Sequence, residues 1–204
     1  LSLMGLAAGF AIVNKAHPYY DKRTGEAGLM YVNTKDYHYT SEEFLELFKE
    51  KFYANADMVN NFNDIYPEIS DFLSIYGEYL DQEEVLDSMS SFKVEIIGKD
   101  EWSKEDLAGF NLFENKIALK EDLDLKKDEE VKEIKFHEFL HFLFKQQFSE
   151  SGTKALDEGT VSLITREYGT YAGVDVYEKE SYYVRSICEI VGEENYKKAF
   201  GRHN

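Results

Sequence analysis

The segment KFHEFLHFLF, residues 135–144, places two histidines and a glutamate inside an apolar run. In a helix, positions four residues apart lie about 40° from each other around the axis, so His137 and His141 project from one face. Their imidazoles can therefore converge on one metal ion. Glu138 can lean towards that ion without binding it, and its carboxylate can take a proton from a water molecule that the metal polarises. The H-E-x-x-H spacing thus predicts a zinc site with a general base.

The surroundings of the two histidines are apolar. Two imidazoles and a carboxylate are costly inside a buried helix unless something satisfies them, and a bound cation would do so. The alternative is an accidental spacing of core or surface histidines. The apolar neighbours are Phe136, Phe139, Leu140, Phe142, Leu143 and Phe144.

A third metal ligand is available downstream, in the segment ALDEGTVSLITREY. A catalytic zinc site needs three protein ligands and an open position. Sixteen residues separate His141 from Glu158, enough to finish one helix, turn near Gly152 and begin another with Glu158 in its first turn. The alternative role of Glu158 is a favourable charge at a helix N-terminus. We predict Glu158 as the third ligand.

H-E-x-x-H followed by a helix start of the form (N/D)-E-G resembles the gluzincin branch of zinc metallopeptidases. Over residues 92–200 the chain looks like small bacterial gluzincin-like proteins. GFNLFENKIAL, which precedes the histidine helix, looks like the zincin edge strand that pairs with the substrate backbone. YEKESYYVRSICEIVGEENYKKAF looks like the C-terminal helices of those proteins. We therefore expect NLFENKIAL to form an edge strand beside the histidine helix.

The resemblance implies a zinc-dependent peptidase that acts on a peptide or protein. By position, His137, His141 and Glu158 would bind Zn²⁺, and Glu138 would be the general base. One alternative is a catalytically inactive binding or regulatory module that keeps the metal, and another is a metal-free helical interaction protein. The intact Glu138 favours the peptidase, because a purely structural metal site does not need a base.

The chain departs from the family pattern at two positions. Lys135 is a charged residue where the helices of zinc peptidases usually have an uncharged one. Ser162 stands where several gluzincins have an acidic residue that hydrogen-bonds a ligand histidine. Asp157 or Glu167 could replace that acidic residue.

Peptidases of this kind also need a donor to the developing oxyanion, usually Tyr or His. The candidates are Tyr177 and Tyr182, at the head of the third helix after the sheet. For each tyrosine, aromatic packing is the alternative.

Composition limits the class of protein. The 204 residues include 43% hydrophobic and 15% aromatic residues, enough for a core. The net charge of −17 disfavours binding to nucleic acid or to an anionic membrane surface. The single cysteine, Cys188, excludes an intramolecular disulfide and leaves the redox compartment open.

The first thirteen residues, LSLMGLAAGFAIV, are uncharged but too short to span a bilayer. They indicate a core strand or buried helix start, or else the remnant of an export signal or membrane anchor. The second interpretation points to a secreted or cell-surface bacterial protein.

The order of elements predicts an α+β, zincin-like fold. YVNTKDYHY alternates like a strand, Thr40 and Glu43 form a capping box before a helix, and further helices follow up to residue 91. FKVEIIG and NLFENKIAL are predicted strands, the second with a kink or turn at Glu114-Asn115. Between them, SKEDLAGF has a short helical start at Ser103. Three helices and a short last one, EENYKKAF, complete the chain. We expect residues 1–91 to form a mostly helical region of unassigned role, and residues 92–204 the zincin-like core, in one compact unit.

Overall fold

The computed structural model describes residues 12–21, 26–35, 39–98, 101, 107–111, 113–121, 123, 127–144, 154–169 and 177–196. The contacts divide the chain into two compact units, residues 1–38 and residues 39–204. Residues 39–91 therefore belong to the same unit as the histidine helix. The predicted division of roles at residue 91 stays a prediction.

The N-terminal unit contains two antiparallel strands. Strand β1 runs over Ile12–Asp21 and β2 over Glu26–Lys35, with Ile12 opposite Lys35 and Asp21 opposite Glu26. The strand predicted from YVNTKDYHY overlaps the second half of β2, and its residues 36–38 lie outside the described ones. Residues 1–11 of the uncharged segment also lie outside them.

The first helix of the second unit begins as its sequence predicts. Helix α1 spans Ser41–Ala54. Thr40 Oγ1 accepts a hydrogen bond from Glu43 N at 3.2 Å, and Thr40 N donates to Glu43 Oε2 at 2.9 Å, so the predicted capping box is confirmed. The four-residue repeat of phenylalanines faces inwards, since Phe44, Phe48 and Phe52 are fully buried.

Further helices complete this layer. Helix α2 spans Ala56–Phe62, α3 spans Tyr66–Tyr76, and α4 spans Gln82–Met89. Asn55 caps α2 through its Oδ1, while its Nδ2 donates to the carbonyls of Met89 and Phe92. One side chain thus joins the start of α2 to the segment that enters the sheet.

The sheet has three strands, and its centre lies where an edge was predicted. Strand β3 spans Lys93–Ile97, β4 spans Ala108–Asn111, and β5 spans Lys116–Lys120. The order is β3-β5-β4, with β5 parallel to β3 and antiparallel to β4.

The prediction of NLFENKIAL as one edge strand is therefore wrong. Ile117, Ala118 and Leu119 are paired on both sides. The chain reverses at the predicted turn, where Asn115 has a φ of 50°. Because of this reversal, the segment supplies parts of two strands. The strand next to the histidine helix is β4. The helical start predicted at Ser103 lies outside the described residues.

The described residues after the sheet include three long helices and the helical residues 193–196. Helix α5 spans Asp128–Phe144, α6 spans Lys154–Tyr168, and α7 spans Glu178–Val191 and ends at Gly192, whose φ is 86°. The predicted stop at Gly152 lies outside the described residues. The described chain is thus α+β, mostly helical with a small mixed sheet. No helix in the described ranges is both long and apolar enough to cross a membrane.

Candidate metal centre

The three predicted ligands converge in the structure. His137 Nε2 lies 3.2 Å from Glu158 Oε2, and His141 Nε2 lies 3.3 Å from the same oxygen. The two Nε2 atoms are 3.1 Å apart. The three side chains are mostly buried, with 15% exposure for His137 and Glu158 and 6% for His141. Helices α5 and α6 therefore bring three metal-ligating atoms to one point.

The three ligand atoms, His137 Nε2, His141 Nε2 and Glu158 Oε2, form a triangle whose size fits a zinc ion. Ligand atoms at about 2.0–2.1 Å from a tetrahedral zinc lie about 3.3–3.4 Å from one another. The three observed separations, 3.1, 3.2 and 3.3 Å, are close to that edge length. Two imidazole nitrogens and one carboxylate oxygen also form the donor set of a catalytic zinc site. The residues present therefore fit the ion.

Asp157 supports the second histidine. Its Oδ2 lies 3.4 Å from His141 Nδ1, the ring nitrogen that faces away from the cluster, and both side chains are buried. A carboxylate in this position fixes the tautomer and orientation of a ligand histidine. Asp157 is thus one of the two side chains that the sequence offered for this role. Ser162 is also buried, and Glu167 lies near Tyr76 instead.

The charges of the cluster depend on one another. Burial alone would raise the pKa of Glu158, but hydrogen bonds with His137 and His141 outweigh it and hold that pKa well below its usual range. Burial opposes protonation of His141, yet hydrogen bonds with Asp157 and Glu158 raise its pKa to about 10. For Glu138, burial is the largest influence and raises the pKa. The lowered pKa of Glu158 favours its carboxylate form, which is the form that binds a metal ion.

The aromatic core holds the histidine helix in place. Phe139 is fully buried, and its ring lies 6.4 Å from Phe48, 6.4 Å from Phe52 and 5.2 Å from Phe62, measured between centroids. Lys135 is turned away from the cluster, and its Nζ pairs with Asp64 at 3.2 Å. The charge at this position therefore does not conflict with a metal site.

A glycine allows α7 to approach the metal-ligating helix. A Cβ on Gly159 would lie 2.6 Å from the backbone C and O atoms of Glu180 and 2.9 Å from Val184 Cγ2. The glycine after Glu158 is therefore required by packing. Glu158 itself lies in the second turn of α6, because the helix begins at Lys154. It is one turn further inside the helix than predicted.

Among the described strands, β4 pairs only with β5, and its outer edge faces Glu138. Lys120 N donates to Leu107 O at 3.0 Å, and the antiparallel register continues this hydrogen-bonded pair at Gly109–Ala118 and Asn111–Lys116. Because hydrogen-bonded pairs alternate, the backbone groups of Ala108 and Phe110 point away from β5. A hydrogen bond from the Phe110 backbone partly opposes the raised pKa of Glu138. No sequence signal pointed to this contact.

The two candidate tyrosines lie in different surroundings. Tyr177 is next to the cluster, with its ring nearly parallel to that of His137, at 15° and 5.8 Å between centroids. Tyr182 is 68% exposed, and its ring lies 6.2 Å from that of Tyr183. Proximity thus favours Tyr177 over Tyr182, and a role in catalysis stays a prediction for both.

Comparison of the chain with known proteins found no similar family, protein or structure. No family model matches the chain, and no curated protein or solved structure matches it significantly.

Proposed function

We propose that this chain is a zinc-dependent peptidase of the gluzincin type, with a zincin-like core. His137, His141 and Glu158 would hold the ion, and Glu138 would be the general base. The observation that carries the proposal is the triangle of Nε2, Nε2 and Oε2 atoms, with edges of 3.1–3.3 Å. Glu138 follows His137 directly, on the same helix.

A second observation favours a peptide as the substrate. Ala108 and Phe110 direct their backbone groups away from β5, and the Phe110 backbone reaches Glu138. An extended peptide can add to such an edge through main-chain hydrogen bonds. A peptide bound along β4 would therefore pass beside Glu138. In this proposal the peptide pairs with β4 and not with residues 111–119, because residues 116–119 are paired on both sides.

The chemistry follows from the positions of these groups. A bound zinc ion would supply Lewis acidity to the scissile carbonyl and to a water molecule. The Glu138 carboxylate would take a proton from that water as its oxygen adds to the carbonyl carbon. It would then deliver the proton to the amide nitrogen as the C–N bond breaks, leaving a carboxyl group and an amine. Tyr177 would donate to the carbonyl oxygen.

The test compares Glu138→Gln with the wild type on a peptide library, with zinc content measured in parallel. The amide keeps the shape of the side chain but cannot accept the proton, so cleavage falls by about 10²–10⁴-fold while zinc content stays the same. Glu129→Gln, an exposed change on the same helix, is the matched control. Cleavage by Glu138→Gln at the wild-type rate would refute the mechanism. Full zinc binding without cleavage by the wild type would support the inactive module.

A further inference from the structure

A cavity of about 280 Å³ lies between α6 and α7, and none of the proposed zinc ligands lines it. One face of α6 contributes Thr160, Leu163 and Ile164, which have helical spacing. Cys188 of α7 stands on the other wall. Tyr76 and Phe144, from α3 and the end of α5, also line the cavity. Its walls are therefore mostly apolar, and Cys188 is part of the lining.

The volume sets the size of a ligand. An engineered apolar protein cavity of about 150 Å³ is large enough to bind benzene. The cavity between α6 and α7 is almost twice as large, at about 280 Å³. It therefore has room for an aromatic ring with a short aliphatic chain.

The charged residues in the lining determine which sign of charge a ligand can carry. Glu167, Glu189 and Glu193 line the cavity, and Arg185 is the one cation among its described lining residues. Burial, Tyr168, Glu167 and Glu193 together raise the pKa of Tyr76, which also lines the cavity. The excess of negative charge disfavours an anion and stabilises a cation. Tyr76 and Tyr196 also line the cavity, and aromatic side chains attract organic cations.

We propose that this cavity binds a small organic cation with an aromatic body, an aralkylamine. The ring would pack against Leu163, Ile164 and Phe144, and the ammonium group would lie towards the glutamates. This proposal does not rest on the peptidase activity, because it uses none of the zinc ligands or Glu138.

The test uses three probes of matched shape: 2-phenylethylamine, the neutral 2-phenylethanol and the anionic 3-phenylpropionate. Calorimetry measures their affinities for the full chain, and we expect the amine to bind at least about five-fold more tightly than the alcohol. Cys188 is the only cysteine of the chain, so its rate of alkylation by iodoacetamide reports on the cavity. The amine is expected to slow that alkylation in a saturable manner.

Three variants locate the binding. Cys188→Met fills part of the cavity and is expected to weaken amine binding at least about ten-fold, whereas the small Cys188→Ser keeps it. Glu189→Gln is expected to weaken amine binding about two- to five-fold without affecting the alcohol. Equal or tighter binding of the alcohol or the anion would overturn the proposal. So would undiminished amine binding by Cys188→Met.

Discussion

Replacing Gly159 by alanine tests the packing that places α7 against the candidate metal centre. The new Cβ would lie 2.6 Å from the backbone C and O atoms of Glu180, whereas ordinary contacts begin at 3.4 Å. Backbone atoms cannot rotate away as the end of a side chain can. Helix α7 would therefore have to move by about 0.8 Å at this point, with Tyr177 at its start.

The cost follows from two opposing effects. Overpacking of a well-packed contact costs about 1–3 kcal/mol. Alanine favours a helix over glycine by about 1 kcal/mol, which offsets part of that cost. Because the clash is with backbone, we expect a net loss of about 1–2 kcal/mol in the free energy of unfolding. For a chain of this length, the melting temperature would fall by about 2–8 °C.

Urea denaturation of the wild type and of Gly159→Ala, followed by circular dichroism, measures this difference in the free energy of unfolding. Gly98→Ala is the matched control, because a Cβ there meets only the Glu101 side chain at 3.6 Å or more. The control is expected to change stability by less than about 0.5 kcal/mol. If Gly159→Ala were as stable as the wild type, or more stable, the close approach of α6 and α7 would be wrong.

Two further predictions concern the surroundings of the cluster. Asp157→Ala removes the carboxylate beside His141 Nδ1, so zinc affinity, measured by competition with a chelator, is expected to fall about 10–100-fold. Ser162→Ala in the same helix serves as the control, and an equal loss in both variants would refute the role of Asp157. Ala108→Pro removes one N–H from the outer edge of β4, at the first residue of the strand, where proline is tolerated. It is expected to lower kcat/KM for a peptide substrate about 2–10-fold, and unchanged kinetics would contradict peptide pairing with β4.

Local signals in the sequence predicted the helices well. The capping box of Thr40 and Glu43 depends on residues three positions apart, and the burial of Phe44, Phe48 and Phe52 follows from helical periodicity. The convergence of His137 and His141 has the same origin. Each of these features is decided within a few turns of one helix.

Features that depend on tertiary structure were harder to predict. Strand pairing is non-local, so the alternation in NLFENKIAL did not reveal that Ile117–Leu119 would be central. The contact of Asp157 with His141 depends on how α6 crosses α5. The exposure of Tyr182 depends on the rotation of α7 about its axis, which the packing at Gly159 fixes. The sequence could offer these residues only as candidates.

Titration of the metal-free protein with zinc, measured by calorimetry, tests the central claim most directly. The account predicts saturable binding of one ion per chain, with binding lost in His137→Gln, His141→Gln and Glu158→Gln. His17→Gln, which makes the same change in the N-terminal unit, is expected to bind like the wild type. Absence of saturable binding by the wild type, or undiminished binding by the variants at the three ligands, would contradict the account.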